Sequence, residues 1–163
     1  MLLNTTVQLT GPVAGIRWME LRNTGSGWNL YQEGTYSPDN NFRWMGSIAM
    51  DTVGNIALGY SISSSSLFPS IRYTGRMSSD PLGQMTIAER GIINGGGSQT
   101  DGSGRWGDYS AMSPDPTEFG KFWYTQEYYT ATAGANWKTR IASFSFADIF
   151  NVVATATPYV ICT

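Results

Sequence analysis

Short segments with a two-residue hydrophobic period run through most of the chain. In segment 55–63, the large residues Ile56, Leu58 and Tyr60 alternate with small ones, which predicts a β-strand with one well-packed face. Other segments of similar length are rich in Thr, Tyr, Trp, Ile and Phe, and the 19 glycines and seven prolines separate them. The sequence allows a short helix only near 146–153. We therefore predict an all-β fold.

Internal repetition organises these strands. An Arg-Trp pair and an Ala-Met pair, separated by four residues, occur together twice, 62 positions apart. The two copies are Arg43-Trp44 with Ala49-Met50, and Arg105-Trp106 with Ala111-Met112. Each copy continues into a turn and then into a second strand.

Two further elements follow in the same order. The third is a strand with a central arginine, found at Arg17, Arg72 and Arg140, and we expect these arginines to pair one unit with the next. The fourth ends in glycine and occurs at 30–34 and 87–91. The repeating unit therefore contains four strands.

The repeat divides the single all-β region 1–163 into a partial unit at 15–36, a complete unit at 43–91 and a third at 105–160. Segment 151–160 is the candidate for the last strand of the third unit. The other predicted strands lie near 43–50, 55–62, 70–75, 84–90, 105–112, 121–129 and 138–146. Antiparallel four-stranded units of this period favour a partial β-propeller of about two and a half blades, with a β-sandwich as the alternative.

Composition excludes several kinds of function. Ten basic residues against twelve acidic ones give a net charge of −2, so we expect no nucleic-acid partner. The chain has no histidine and a single cysteine, Cys162, which excludes histidine bases, histidine-ligated metals and cysteine clusters. No apolar run approaches the roughly 18 residues of a membrane span.

Acidic residues in the predicted turns are the only candidate metal ligands. Asp51, Asp115 and Glu118 offer the oxygen ligands that Ca²⁺ prefers. Acid-rich turns are also common without a metal. We therefore expect no metal and no cofactor.

Four stretches of the chain resemble a known class of proteins. They are R-W-M-G-S-I-A-M-D from position 43, G-N-I-A-L-G-Y-S-I-S from 54, P-S-I-R-Y-T-G-R from 69 and R-W-G-D-Y-S-A-M from 105. These stretches are similar to the C-terminal part of propeller-like regions in large, uncharacterised secreted bacterial proteins, which are loosely sialidase-like. The resemblance covers residues 15–146. It implies a propeller and an extracellular location, and it implies very little about chemistry.

An incomplete set of blades leaves the fold open at both ends. A ring normally needs four to eight blades, so we expect either the rest of a longer chain or a homo-oligomer to complete it. Unpaired strand edges at each end predict that the isolated chain self-associates or is marginally stable.

Candidate ligand-binding residues lie at the start of the predicted inner strands. Arg43 and Arg105 open these strands, and a guanidinium suits the carboxylate of an acidic sugar. The alternative is that each arginine pairs with a neighbouring acid or stacks on a tryptophan.

The second copy of the repeat also departs from the first. Asp108 and Tyr109 stand where the first copy has Gly46 and Ser47, and Glu127 stands where Ser61 or its neighbour would be. Trp106 offers a flat stacking face beside them. The predicted ligand-binding set is Arg43, Arg105, Trp106, Asp108, Tyr109 and Glu127.

Loops 38–42, 63–69, 95–104 and 130–136 are expected to share one rim with this set. The glycine-rich loop 95–104 is either a mobile binding loop or an ordinary surface connection.

The function favoured by these features is a non-catalytic propeller fragment that acts as a scaffold or binding surface, with a glycan or a protein surface as its partner. A sialidase-like glycoside hydrolase using a carboxylate, a tyrosine and arginines is the alternative. No acid pair is evident, and no catalytic residue is assigned.

Overall fold

The computed structural model describes residues 1–107 and 109–146, which form ten β-strands and no helix. The all-β prediction is confirmed for this part of the chain. The strands are β1 (Leu2–Gln8), β2 (Ala14–Asn23), β3 (Trp28–Tyr36), β4 (Phe42–Met50), β5 (Ile56–Ser64), β6 (Leu67–Arg76), β7 (Ile87–Ile93), β8 (Ala111–Pro114), β9 (Lys121–Tyr128) and β10 (Lys138–Ser145).

The strands form three antiparallel sheets, each made of strands that follow one another in the chain. The N-terminal sheet has the order β1-β2-β3, the central sheet β4-β5-β6-β7, and the C-terminal sheet β10-β9-β8. None of the three sheets closes on itself within the described residues.

Strand β5 lies in the middle of the molecule, and its residues from Ile56 to Ile62 are all buried. Ile56, Leu58 and Tyr60 pack in one cluster with side chains of β2 in the N-terminal sheet. On the opposite face, Ala57 packs with side chains of β9 in the C-terminal sheet. The prediction of a single packed face is therefore wrong, because the small residues of β5 face a second sheet.

The small residues of this opposite face make room for large aromatic side chains. A Cβ atom placed on Gly59 would lie 2.5 Å from Cε1 of Tyr124, and one on Gly75 would overlap the ring of Phe146. Both aromatic side chains are almost fully buried. The glycines thus set how closely the C-terminal sheet approaches the central one.

Most of the predicted strands overlap observed ones, with one clear error. The strand predicted at 105–112 is extended only from Ala111 onwards, and Gly107 has a positive φ of 61°, which is incompatible with a regular strand. Strand β1 was not predicted. Both the short helix allowed near 146–153 and the strand predicted at 151–160 involve residues 147–163, which lie outside the described residues.

The repeated arginines Arg17 and Arg72 make contacts within their own sheets. Arg17 forms an ion pair with Glu33 of the neighbouring strand at 2.5 Å. Arg72 donates to the carbonyl oxygen of Ile93 at 3.1 Å and to the side chain of Asn94. The prediction that these arginines pair one unit with the next is therefore wrong for these two positions.

Strands β4 and β8 lie side by side and run in the same direction. The rings of Trp44 and Trp106 are 5.0 Å apart, and further along both strands the amide of Met112 donates to Oγ of Ser47 at 2.9 Å. One residue after each tryptophan, Met45 has φ 51° and Gly107 has φ 61°. A left-handed conformation is rare for a methionine, so its occurrence at the matching position supports the equivalence of the two segments.

Strand β1 runs past β4 in the opposite direction. Oγ1 of Thr6 accepts from the amide of Met45 at 3.2 Å, whereas Leu2 lines a groove together with Met50. Residues near the C-terminal end of β4 therefore lie beside residues near the N-terminal end of β1, so the two strands are antiparallel.

We expect the substitution Gly59→Ala to destabilise the fold by about 2 kcal/mol, because the added methyl group must displace the buried ring of Tyr124. Urea unfolding measures this change. In an unobstructed strand, alanine would instead be more favourable than glycine.

The control is Gly102→Ala, where an added Cβ meets no atom within 4 Å. Equal stability of the Gly59→Ala variant and the parent chain would contradict the close approach of the two sheets.

Candidate functional site

The loops predicted to share a rim lie together at one end of the stacked sheets. The amide of Gly96 donates to the carbonyl oxygen of Tyr129 at 2.8 Å, and that of Thr100 to the carbonyl oxygen of Ala133 at 3.0 Å. The amide of Gly95 donates to Oγ of Ser70 at 2.9 Å, next to loop 63–69.

The glycine-rich loop 95–104 is packed against its neighbours along its first half. Added Cβ atoms would collide with the main chain of Pro69 at Gly95, of Thr130 at Gly96 and of residues 131–132 at Gly97. Glycine is required here because two main chains approach closely. These contacts favour an ordinary, fixed connection over a mobile binding loop.

Arg43 is fully buried at this end of the central sheet. Its Nη1 and Nη2 atoms donate to the two carboxylate oxygens of Asp39 at 2.7 and 3.1 Å. Its Nε donates to Oε2 of Glu89 at 2.7 Å. The guanidinium is thus held by two carboxylates of the protein itself, which favours the structural alternative for Arg43.

The same carboxylate of Glu89 accepts a hydrogen bond from the hydroxyl of Tyr60 at 2.7 Å. A tyrosine beside a glutamate and an arginine is a candidate for nucleophilic catalysis, because a carboxylate can activate a phenol nucleophile. Burial, however, raises the pKa of Tyr60 far above its ordinary value, and its side chain has no exposed surface. The phenol therefore stays protonated and serves as a buried hydrogen-bond donor.

Sequence reasoning missed the Tyr60–Glu89 pair. The two residues lie 29 positions apart, on strands that are not neighbours in the central sheet. No local motif marks such a pair.

Trp106 is also a packing residue in this structure. Its side chain is 9% exposed, and its Nε1 donates to Oγ of Ser61 at 3.0 Å. The ring stacks against Tyr129 with centroids 5.5 Å apart and contacts Trp44 on its other side. Such a position leaves little surface for stacking on a sugar.

Glu127 accepts a hydrogen bond at Oε2 from the amide of Gly107 at 2.9 Å. Met50 pairs with Ile56 and Met112 pairs with Tyr124. These pairs align Tyr124 with Ile56. Glu127, three residues after Tyr124, therefore aligns with Gly59 of the central sheet and not with Ser61. The carboxylate thus anchors the left-handed turn that precedes β8.

Two predicted residues remain at the surface of the rim. Arg105 is exposed, and Tyr109 is 92% exposed. Both belong to the segment between loop 95–104 and β8. Asp108, the sixth residue of the predicted set, lies outside the described residues.

The acidic turn residues hold their own turns. Asp51 accepts from the amides of Val53 and Asn55 at 3.0 and 2.9 Å. Asp115 accepts from the amides of Thr117 and Glu118 and from Nε1 of Trp123, and these bonds hold the pKa of its carboxyl below the ordinary value. Residues 1–107 and 109–146 contain no cluster of three or more acidic or cysteine side chains that could hold a metal ion.

Family models, curated proteins and solved structures were compared with the chain, and none matches it. In the part of the chain that is described, no helix has the length and apolarity needed to cross a membrane.

We expect the Asp39–Arg43 pair to give the fold a measurable pH dependence. The hydrogen bonds from Arg43 lower the pKa of Asp39 from 3.8 to about 2. A lowered folded-state pKa stabilises the fold above pH 4, and this contribution is lost as the pH falls from 4 to 2. The Asp39 side chain is 48% exposed, so solvent screening limits the effect to about 1 kcal/mol.

The variant Asp39→Asn tests this pair by urea unfolding at several pH values. It should be less stable than the parent at pH 7, and most of this difference should be lost as the pH falls from 4 to 2. The control Glu118→Gln removes an exposed carboxylate at the opposite end of the C-terminal sheet and should change stability by less than about 0.5 kcal/mol. A constant difference between Asp39→Asn and the parent from pH 7 to pH 2 would contradict the assignment.

Proposed function

We propose that this chain is part of a β-propeller that acts as a non-catalytic scaffold with a binding surface on its rim. The proposal is supported by the relation between the central and C-terminal sheets. Their inner strands β4 and β8 run in the same direction, as strands related by rotation about a common axis must. Three sheets stacked face to face also fit consecutive blades better than the two layers of a sandwich.

The non-catalytic part of the proposal rests on Arg43. An arginine that recognises the carboxylate of a substrate must present its guanidinium to a cleft, but the guanidinium of Arg43 is buried between Asp39 and Glu89. The tyrosine–glutamate pair beside Arg43 is Tyr60–Glu89, and the Tyr60 side chain is fully buried. These groups join strands β4, β5 and β7 of the central sheet to the connection that precedes β4, and they do not line a substrate site.

The proposed binding surface consists of the exposed side chains of Arg105 and Tyr109. A guanidinium can hold the carboxylate of an acidic sugar, and an exposed phenol ring can stack on a sugar face. We therefore propose acidic glycans as the ligand class. The resemblance of the sequence to secreted proteins is compatible with such a ligand outside the cell.

The proposal includes a larger assembly, either a longer chain or several copies. The outer face of the C-terminal sheet differs from the face of the central sheet that contacts the C-terminal sheet, because Glu127 stands at the position of Gly59. By the same strand pairing, Ile141 stands at the position of Gly75. A neighbour on that face would need a different shape from the C-terminal sheet itself.

We expect Arg105→Ala and Tyr109→Ala each to weaken the binding of an acidic glycan about tenfold, the loss of roughly 1.4 kcal/mol. A glycan array followed by titration of the best ligand measures this effect. The melting temperature of Tyr109→Ala should not change, since this side chain is 92% exposed.

The matched control is Phe119→Ala, an aromatic residue that is 87% exposed in the turn at the other end of the C-terminal sheet. Unchanged glycan binding in both rim variants, or equal loss in the control, would contradict a rim site. Hydrolysis of a fluorogenic sialic-acid glycoside by the parent chain would contradict the non-catalytic assignment.

A further inference from the structure

The N-terminal sheet has one strand fewer than the central sheet within the described residues. Its first strand, β1, runs antiparallel to β4, whereas β8 runs parallel to β4. Equivalent strands of sheets related by rotation must point the same way. Strand β1 therefore corresponds to β5, the second strand of the central sheet. A first strand of the N-terminal sheet, corresponding to β4, would lie beside β1 on the side away from β2.

The side of β1 that faces this place carries main-chain groups with no partner strand in residues 1–107 and 109–146. Met1 and Leu21 exchange hydrogen bonds of 2.8 and 2.9 Å between their main chains. Because such bonds alternate along an antiparallel pair, Leu3, Thr5 and Val7 also point their main-chain groups toward β2. Leu2, Asn4, Thr6 and Gln8 point theirs toward the open edge.

The β1 edge also lacks the features that normally protect an open edge. Proteins discourage strand addition with charges, prolines, bulges or very short strands. Strand β1, L-L-N-T-T-V-Q, has no charge and no proline, and it pairs with β2 without a register shift.

The other edge strands all carry such protection. Strands β3, β4, β7 and β10 contain charged residues, β4 and β7 have register shifts, and β8 has only four residues. Among the sheet edges of the described residues, protection is thus missing only at the one where the repeat requires one more strand.

A groove continues from the Leu2 end of this edge. It has a volume of about 590 Å³, and its walls include Leu2, Trp28, Ile48 and Met50. A strand added antiparallel to β1 runs parallel to β4, so its last residues reach this groove, which also has polar walls at Glu20, Arg22 and Asn23. In β4 the corresponding end is Ile48-Ala49-Met50.

We propose that the free edge of β1, Leu2–Gln8, is a strand-acceptor site for an extended segment with the chemistry of β4. The segment has an Arg-Trp pair at its start and apolar residues at its end, and it binds antiparallel to β1 through main-chain hydrogen bonds. The inference rests on the proposed rotational relation of the sheets and is independent of glycan binding on the rim.

A synthetic peptide with the sequence of residues 41–51 tests the proposal on the full chain. Labelled peptide should bind in fluorescence polarisation, and hydrogen exchange of the amides of Leu2, Asn4, Thr6 and Gln8 should slow at least tenfold. A control peptide methylated at the alternate amides that face β1 keeps every side chain and should not bind. Equal binding of the methylated peptide would overturn the proposal.

The substitution Thr5→Lys in β1 tests the strand-acceptor site itself. Thr5 is exposed, and a lysine on an edge strand opposes strand addition. Peptide affinity should fall at least tenfold in this variant and stay unchanged in Thr139→Lys, which places the same charge on the edge strand β10. If hydrogen-exchange protection of the β1 amides increases with chain concentration in the absence of peptide, a second copy of the chain occupies the edge. This result would overturn the proposed occupant.

Discussion

The burial of β5 on both faces is the constraint on which the rest of the structure depends. A strand with only one covered face can carry polar residues on the other, but β5 lies between two sheets. Its large residues fill the interface with the N-terminal sheet, and its small residues admit aromatic side chains from the C-terminal sheet. The size alternation along one strand thus sets the spacing of all three sheets.

Double burial also determines what the polar residues at the interfaces do. A buried polar group must find a partner inside the protein. On one side of the central sheet, Arg43, Asp39, Glu89 and Tyr60 satisfy one another. On the other side, Ser61 accepts from the indole of Trp106. Two residues of the predicted binding set therefore have structural roles: Arg43 joins strands within the central sheet, and Trp106 bonds the segment before β8 to that sheet.

The sequence predicts the strands well because their two-residue period and their glycine-containing turns are local signals. The Arg-Trp repeat aligns Trp44 with Trp106, and left-handed conformations follow both tryptophans, at Met45 and at Gly107. The strand start at Ala111 could not be predicted, because the left-handed turn at Gly107 depends on a contact with Glu127 from another strand. Likewise, the packing of the first half of loop 95–104 depends on main-chain contacts with residues 129–133.

The candidate site was harder to predict than the fold. Arginine and tryptophan serve equally well in ligand binding and in packing, and only burial separates the two uses. Arg43 and Trp106 are buried, whereas Arg105 and Tyr109 are exposed. The direction of β1 relative to β4 is a tertiary property that no spacing in the sequence reveals.

Native-state hydrogen exchange of the β5 amides tests the central claim most directly. If β5 is covered on both faces, its amides from Ile56 to Ile62 exchange only when the whole protein unfolds, with a free energy equal to that of global unfolding. Amides of β10, which is an edge strand within residues 1–107 and 109–146, should exchange through local opening at a lower free energy. Exchange of the β5 amides as fast as those of β10 would contradict the stack of three sheets.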